Sequence, residues 1–236
     1  MHQRPSSTKG LIPTDSGGSW LLIDKPAGIT SHDVVDRVRR ITGEKKVGHA
    51  GTLDPMATGL LVVALGKATK QLAEGLEGGK RYLATAQLGL MSPTGDRDAE
   101  WTIDVRCPVF KQERIEEVLD KLRSAKGQIP PMVAAIKRFG IPLYKMARRG
   151  WWLEREPRPV EIEELLLRNC DPALGTIEVE VAASGGFYVR ALVNDIGAAL
   201  GIPAALTVLR RLAVGPFQVE DAIGLEELET KWVNRA

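Results

Sequence analysis

The sequence predicts an α+β fold, a mixed and largely antiparallel β-sheet flanked by helices, and three observations predict it. Segments with a two-residue apolar period alternate with segments of helical period along most of the 236 residues. The run Leu60-Leu61-Val62-Val63-Ala64-Leu65 is apolar at every position, which suits a strand covered on both faces at the centre of a sheet. Residues 128–156 follow neither period: they open on Pro130-Pro131, are rich in Arg and Lys, and read as a protruding insertion.

Residues 1–19, rich in Ser, Gly, Pro and Thr, predict a flexible tail. Trp20-Leu21-Leu22-Ile23 predicts a short buried strand, stopped by Asp24-Lys25-Pro26-Ala27-Gly28. Thr30 or Ser31 then caps a helix that buries Val34, Val35, Val38 and Ile41 and closes at Gly43, with Arg37, Arg39 and Arg40 off the apolar face. Residues 67–76 predict a helix. Lys80-Arg81-Tyr82-Leu83-Ala84-Thr85-Ala86-Gln87-Leu88 alternates as a strand, with Tyr82, Ala84, Ala86 and Leu88 on one face.

Residues 111–126 predict an amphipathic helix through Ile115, Val118, Leu119 and Leu122, ended by Gly127. Residues 158–162 open another strand, and Thr176-Ile177-Glu178-Val179-Glu180-Val181 buries every second residue. A last helix turns Leu192, Val193, Ile196 and Leu200 inward and ends at Gly201. Arg190 falls at or near its start, where the macrodipole opposes a cation unless an anion faces it. With no repeat and no linker, residues 20–236 are expected to form one domain.

At 44% hydrophobic and 26% charged residues, the composition is that of a soluble globular chain. No apolar run approaches the roughly 20 residues of a membrane helix. Cys107 and Cys170 fit no metal or redox spacing, and His2, His32 and His49 are too scattered for zinc. Gly59 to Gly66-Lys67 has a phosphate-loop look, but six residues separate its glycines instead of four and Ala68 replaces the magnesium-binding hydroxyl. The net charge is only +2, yet Arg37, Arg39, Arg40, Lys45 and Lys46 cluster, as do Lys137, Arg138, Lys145, Arg148, Arg149, Arg155 and Arg158. Such runs are either solvated faces or, interleaved with Phe139, Tyr144, Trp151 and Trp152, a surface for a polyanion with stackable bases.

The most informative stretch is Gly48-His49-Ala50-Gly51-Thr52-Leu53-Asp54-Pro55-Met56-Ala57-Thr58-Gly59. Its glycines allow close backbone approach, and Pro55 keeps Asp54 out of helical conformation. By itself it reads either as a turn whose Asp caps the next element or as a loop presenting a held carboxylate.

Gly-His-x-Gly-Thr-Leu-Asp-Pro-x-Ala-Thr-Gly resembles the signature of the TruB-type pseudouridine synthases, a family close to the dyskerin-like enzymes. Further motifs follow in the family's order: Lys25-Pro26-x-Gly28, Lys80-Arg81-Tyr82, Gly186-x-Tyr188-x-Arg190 and Leu209-Arg210-Arg211. The resemblance runs from about Trp20 to Phe217. It implies isomerisation of a uridine in the tRNA T-loop, at tRNA position 55, with Asp54 as the catalytic group. It also implies that Tyr82 stacks on the flipped base, that Arg190 pairs with the catalytic Asp, that Leu209 lines the uracil pocket, and that Lys25 lies near the active site. His49 is either a loop hydrogen-bonder or fills the space the base vacates. Residues 128–156 resemble the family's thumb-like clamp, which with the basic helix makes Arg37, Arg40, Lys137, Tyr144, Arg148 and Arg149 candidate RNA contacts.

The chain departs from the family at Ala50, at Ser92-Pro93, at Val133-Ala134-Ala135, at Ala183 and at Phe187. No cofactor or metal is expected, since the reaction breaks an N–C glycosidic bond and rejoins the uracil through C5 without redox change. The expected partner is the T-stem-loop of tRNA, the expected state a cytoplasmic monomer, and no C-terminal RNA-binding domain is expected after residue 236. Two other readings stay open: a noncatalytic RNA-folding module and a carboxylate-dependent nucleoside hydrolase, the latter with no second acid evident.

Overall fold

The computed structural model describes residues 9–15, 17–73, 76, 78–96, 102–134 and 136–233. The strands are β1 (Leu11–Pro13), β2 (Ser19–Lys25), β3 (Val47–Ala50), β4 (Thr58–Leu65), β5 (Lys80–Leu88), β6 (Leu90–Met91), β7 (Ile103–Asp104), β8 (Gly127–Gln128), β9 (Lys137–Arg138), β10 (Ile141–Pro142), β11 (Arg158–Pro159), β12 (Ile162–Asp171), β13 (Thr176–Ala183), β14 (Ala204–Val214) and β15 (Phe217–Gln218). The helices are α1 (Ser31–Thr42), α2 (Gln112–Arg123), α3 (Leu143–Ala147), α4 (Val189–Leu200) and α5 (Leu225–Val233). Pairing is mixed and mostly antiparallel, with a parallel pair between β4 and β14. The chain forms two compact units, Met1–Arg81 with Leu209–Ala236, and Tyr82–Val208, so the division falls within β5 and β14.

In the first unit β4 pairs with β2, β3 and β14, which explains its unbroken apolar run. Leu61, Val63 and Leu65 pack on one face with Val34 and Val38 of α1 and Leu225 and Leu228 of α5. Leu60, Val62 and Ala64 pack on the other with Trp20, Leu22 and Val214. Helix α1 begins with a capping box in which the Thr30 hydroxyl accepts from the Asp33 N–H and the Asp33 carboxylate accepts from the Thr30 N–H. It ends at Gly43, left-handed as a C-cap glycine should be.

Two expectations need correction here. Residues 11–13 are an edge strand and not tail: they pair with β2, and the Leu22 N–H donates to the Gly10 carbonyl at 2.7 Å; residues 1–8 lie outside the described residues. The helix expected at 67–76 is a 3₁₀ helix, Gly66–Ala73, because the Thr69 hydroxyl bonds the Gly66 carbonyl three residues back and holds the tighter pitch. Residues 74 and 75 lie outside the described residues.

In the second unit β5 buries Tyr82, Ala84, Ala86 and Leu88, and β13 buries Ile177, Val179 and Val181, as the alternation predicts. Helix α2 stops at Arg123, short of Gly127, because the Ser124 hydroxyl bonds the Lys121 carbonyl and ends the ladder. The insertion is closed at its root, where β8 pairs with β11 through Gly127↔Pro159 and Gln128↔Arg158. Gln128 is buried and bonds both ways to the Tyr188 backbone at the start of α4, donating at 3.0 Å and accepting at 2.8 Å. Between these strands lie the β9–β10 hairpin and the five-residue α3. Met132, Leu143 and Met146 are buried, whereas Phe139, Trp151 and Trp152 are exposed, so both tryptophans are surface residues and not core.

Candidate active site

The loop between β3 and β4 carries Asp54, and its backbone is fixed at both ends. Leu53 is buried, and the Ser31 hydroxyl at the first turn of α1 accepts from the Leu53 N–H at 2.8 Å and donates to its carbonyl at 3.0 Å. The Ala57 N–H closes a turn on the Asp54 carbonyl at 3.1 Å. Gly59 then enters β4 at φ 98°, where a Cβ would stand 2.3 Å from the Arg211 carbonyl oxygen, so only glycine fits. Asp54 itself is half-buried.

Two fully buried cations brace this loop. Lys25, at the end of β2, donates to the carbonyls of Pro26 at 2.8 Å, Ile29 at 2.7 Å and Pro55 at 3.1 Å. It therefore ties the Asp-Lys-Pro turn to the residue after Asp54. Arg211, in β14, donates through Nε to Leu60 at 2.7 Å, through Nη2 to Gly51 at 3.1 Å and through Nη1 to Thr52 at 3.4 Å. Its neighbour Arg210 forms a two-pronged pair with Asp24, at 3.0 and 2.7 Å.

Burial pushes the Lys25 ammonium down to about 8, with the Asp54 carboxylate pulling the other way and the Arg211 guanidinium reinforcing the fall. A lysine whose folded-state pKa lies below its unfolded value of 10.5 opposes folding while both states are protonated. That opposition is fully present below pH 8 and is relieved as pH rises from about 8 towards 10.5. The urea midpoint of the wild type should accordingly rise relative to Lys25→Met across that window, by up to about 3 kcal/mol in stability. A constant difference between the two proteins would contradict the buried cation.

Burial and Arg211 also lower the Lys80 ammonium, and the same two causes, in that order, lead in lowering His49. Leu209 is buried, and its carbonyl accepts from the Thr58 hydroxyl at 3.4 Å. The first unit thus gathers Lys25, His49, Asp54 and Leu209, together with Arg211 and Lys80, whose roles the motif reading did not anticipate. The signal available was an Arg-Arg pair inside an otherwise apolar strand.

The second unit carries Tyr82 and Arg190. Tyr82 is buried on the inner face of β5. Arg190, buried in the first turn of α4, meets the anion its position requires: Asp96, at 3.6 Å. It also donates to the Thr94 carbonyl at 3.0 Å and the Val133 carbonyl at 2.7 Å, joining the insertion to the Thr94-Gly95-Asp96 turn.

Among the basic candidates, Arg40, Lys137, Arg148 and Arg149 are exposed and Tyr144 is half-buried. The Arg148 guanidinium lies 5.6 Å over the Tyr144 ring, and that of Arg149 5.9 Å over Trp151. Arg37 differs: it pairs with Glu226 at 3.0 Å and Glu229 at 3.1 Å of α5, so it serves the α1–α5 contact first. No helix among the described residues is long and apolar enough to cross a membrane.

Known proteins resemble this chain over most of its length. Residues 39–189 match the family model described as TruB family pseudouridylate synthase (N terminal domain), and residues 190–235 match that of the tRNA pseudouridylate synthase B C-terminal domain. A tRNA pseudouridine synthase B from Syntrophotalea carbinolica is 44% identical over 209 residues, 89% of this chain and 68% of that protein. One from Mycobacterium tuberculosis is 43% identical over 215 residues, 90% of this chain and 72% of that protein. Among solved structures, a Cbf5–Nop10–Gar1 complex matches with a TM-score of 0.69 at 30% identity, covering 89% of this chain and 53% of that one. An H/ACA ribonucleoprotein bound to a substrate RNA containing 2′-deoxyuridine matches at 0.64 and 28% identity, with 89% and 52% coverage. The chain spans about half the length of these solved chains.

Proposed function

From a chain that belongs to the TruB family of pseudouridylate synthases, we propose an enzyme that converts a uridine of the tRNA T-loop to pseudouridine, with Asp54 as the catalytic carboxylate. The observation that carries this is the bracing of the Asp54 loop by two buried cations that donate to its backbone carbonyls. Held this way, a half-buried carboxylate meets the target with little reorganisation. The N1–C1′ bond breaks with its electron pair on the uracil, the ring turns, and C5 joins C1′, the proton lost from C5 being matched by one taken up at N1. Tyr82 and Leu209 hold the extruded base, Arg190 supports the substrate side, and His49 stands where the base leaves its stack. Residues 20–236 act as one catalytic domain, without cofactor, as a monomer in the cytoplasm.

Incubation with unmodified tRNA, followed by mapping of pseudouridine, tests the proposal. Modification at the T-loop uridine is expected. Binding without modification would instead favour an RNA-folding module, and release of free uracil a hydrolase.

Arg148 and Arg149, exposed and stacked on aromatic rings, contact RNA phosphates together with Arg40, Lys137 and Tyr144. Replacing both by Gln should weaken tRNA binding and flatten the dependence of log affinity on log salt by about 0.7–0.9 per lost contact. The modified uridine should stay the same. An unchanged slope in a binding titration would remove this surface from the interface.

A further inference from the structure

We propose that Lys80 and the backbone of Gly51 form a phosphodiester-binding subsite that grips the RNA backbone beside the target uridine, an inference that rests on the proposed function. Lys80 opens β5 and reaches the loop that carries Asp54: its Cε stands 3.4 Å from where a Cβ on Gly51 would be, and the Arg211 Nη1 stands 3.6 Å from that point. Gly51 is exposed and left-handed, at φ 83°, so no side chain covers its backbone there, and its carbonyl is already taken by Arg211.

Lys25 feels two carboxylates, Asp54 and Asp33, whereas the one charge that bears on Lys80 is the Arg211 guanidinium. Asp24, the acid beside Lys25 in the chain, is taken by both prongs of Arg210. Lys25 and Arg211 direct their donors to carbonyls, whereas among the described residues no hydrogen bond or ion pair holds the half-buried Lys80 ammonium. A half-buried ammonium with no hydrogen bond or ion pair among the described residues, beside an exposed glycine, suits a phosphate oxygen. Burial and Arg211 both depress the Lys80 pKa, and an anion in the subsite would restore it.

The test uses T-stem-loop RNAs in which one phosphate flanking the target uridine is a neutral methylphosphonate. Wild type should lose about tenfold in affinity at one of the two linkages. Lys80→Met should lose as much on unmodified RNA and nothing further on that neutral RNA, while Lys80→Arg should bind like wild type. Lys80→Gln carries the same test should the methionine variant not fold by circular dichroism. Losses that simply add for variant and neutral linkage, or an unchanged affinity of Lys80→Met, would overturn the subsite. Wild-type pseudouridine formation is read in the same samples. Coupling at Lys80 without product would leave the subsite standing and overturn the enzymatic reading; product without coupling would do the reverse.

Discussion

Asp54→Asn should abolish pseudouridine formation, lowering the single-turnover rate on a T-stem-loop RNA by about 10⁴-fold or more, as removal of a covalent or proton-transfer group does. Asparagine keeps the size of the side chain and loses its charge. The loop should keep its shape, since the backbone bonds of Ser31, Lys25 and Arg211 to it involve no Asp54 side-chain atom. Folding should therefore survive with little change in stability. Binding should persist as well, because the proposed phosphate contacts use Lys80, the Gly51 backbone and the exposed arginines, and not the Asp54 side chain. One electrostatic consequence is specific: Asp54 supports the protonated form of Lys25, so its neutralisation should drive the Lys25 pKa further below about 8. The pH at which stability begins to rise should move down with it. Near-normal turnover by Asp54→Asn would end the catalytic assignment.

Arg211→Met should damage both fold and turnover. The methionine fills much of the volume but leaves the Gly51, Thr52 and Leu60 carbonyls without their donor, at a cost of about 3 kcal/mol or more. With the loop released, Asp54 loses its fixed placement, and the single-turnover rate at saturating RNA should fall about 10²-fold. Arg211→Lys retains the charge but lacks the forked donors, so it should recover part of the stability and less of the rate. In the methionine variant the Lys25, His49 and Lys80 pKa values should all rise, because Arg211 lowers each of them. His49, followed by NMR titration in a folded sample, gives the most direct readout. A wild-type rate in Arg211→Met would show that Asp54 needs no such brace.

Most regular elements were legible in the sequence because their periods report burial directly. The alternation through Tyr82, Ala84, Ala86 and Leu88 places β5 residue by residue, and Thr30 with Asp33 and Gly43 marks both ends of α1. The two-residue strands were not legible, since two residues have no period. Neither was the 3₁₀ pitch of Gly66–Ala73, which turns on one hydroxyl-to-carbonyl bond. Arg37 looked like part of a basic face because nothing in its neighbourhood announces Glu226 and Glu229, which lie on α5 near the end of the chain.

By itself the sequence determined the Asp54 loop, the buried strand after it, and the motif order that marks the family. Only the tertiary structure decided what each of two adjacent arginines does. Side chains on a strand alternate between faces, so Arg210 reaches Asp24 while Arg211 turns into the loop and meets carbonyls 151 to 160 residues away in the chain. Lys25 likewise reads as part of a turn until the fold delivers the Pro55 carbonyl to it. Local spacing encodes which face a residue takes, but a partner's identity depends on which distant backbone is folded against that face, and for Lys25 and Arg211 it is the backbone that presents Asp54.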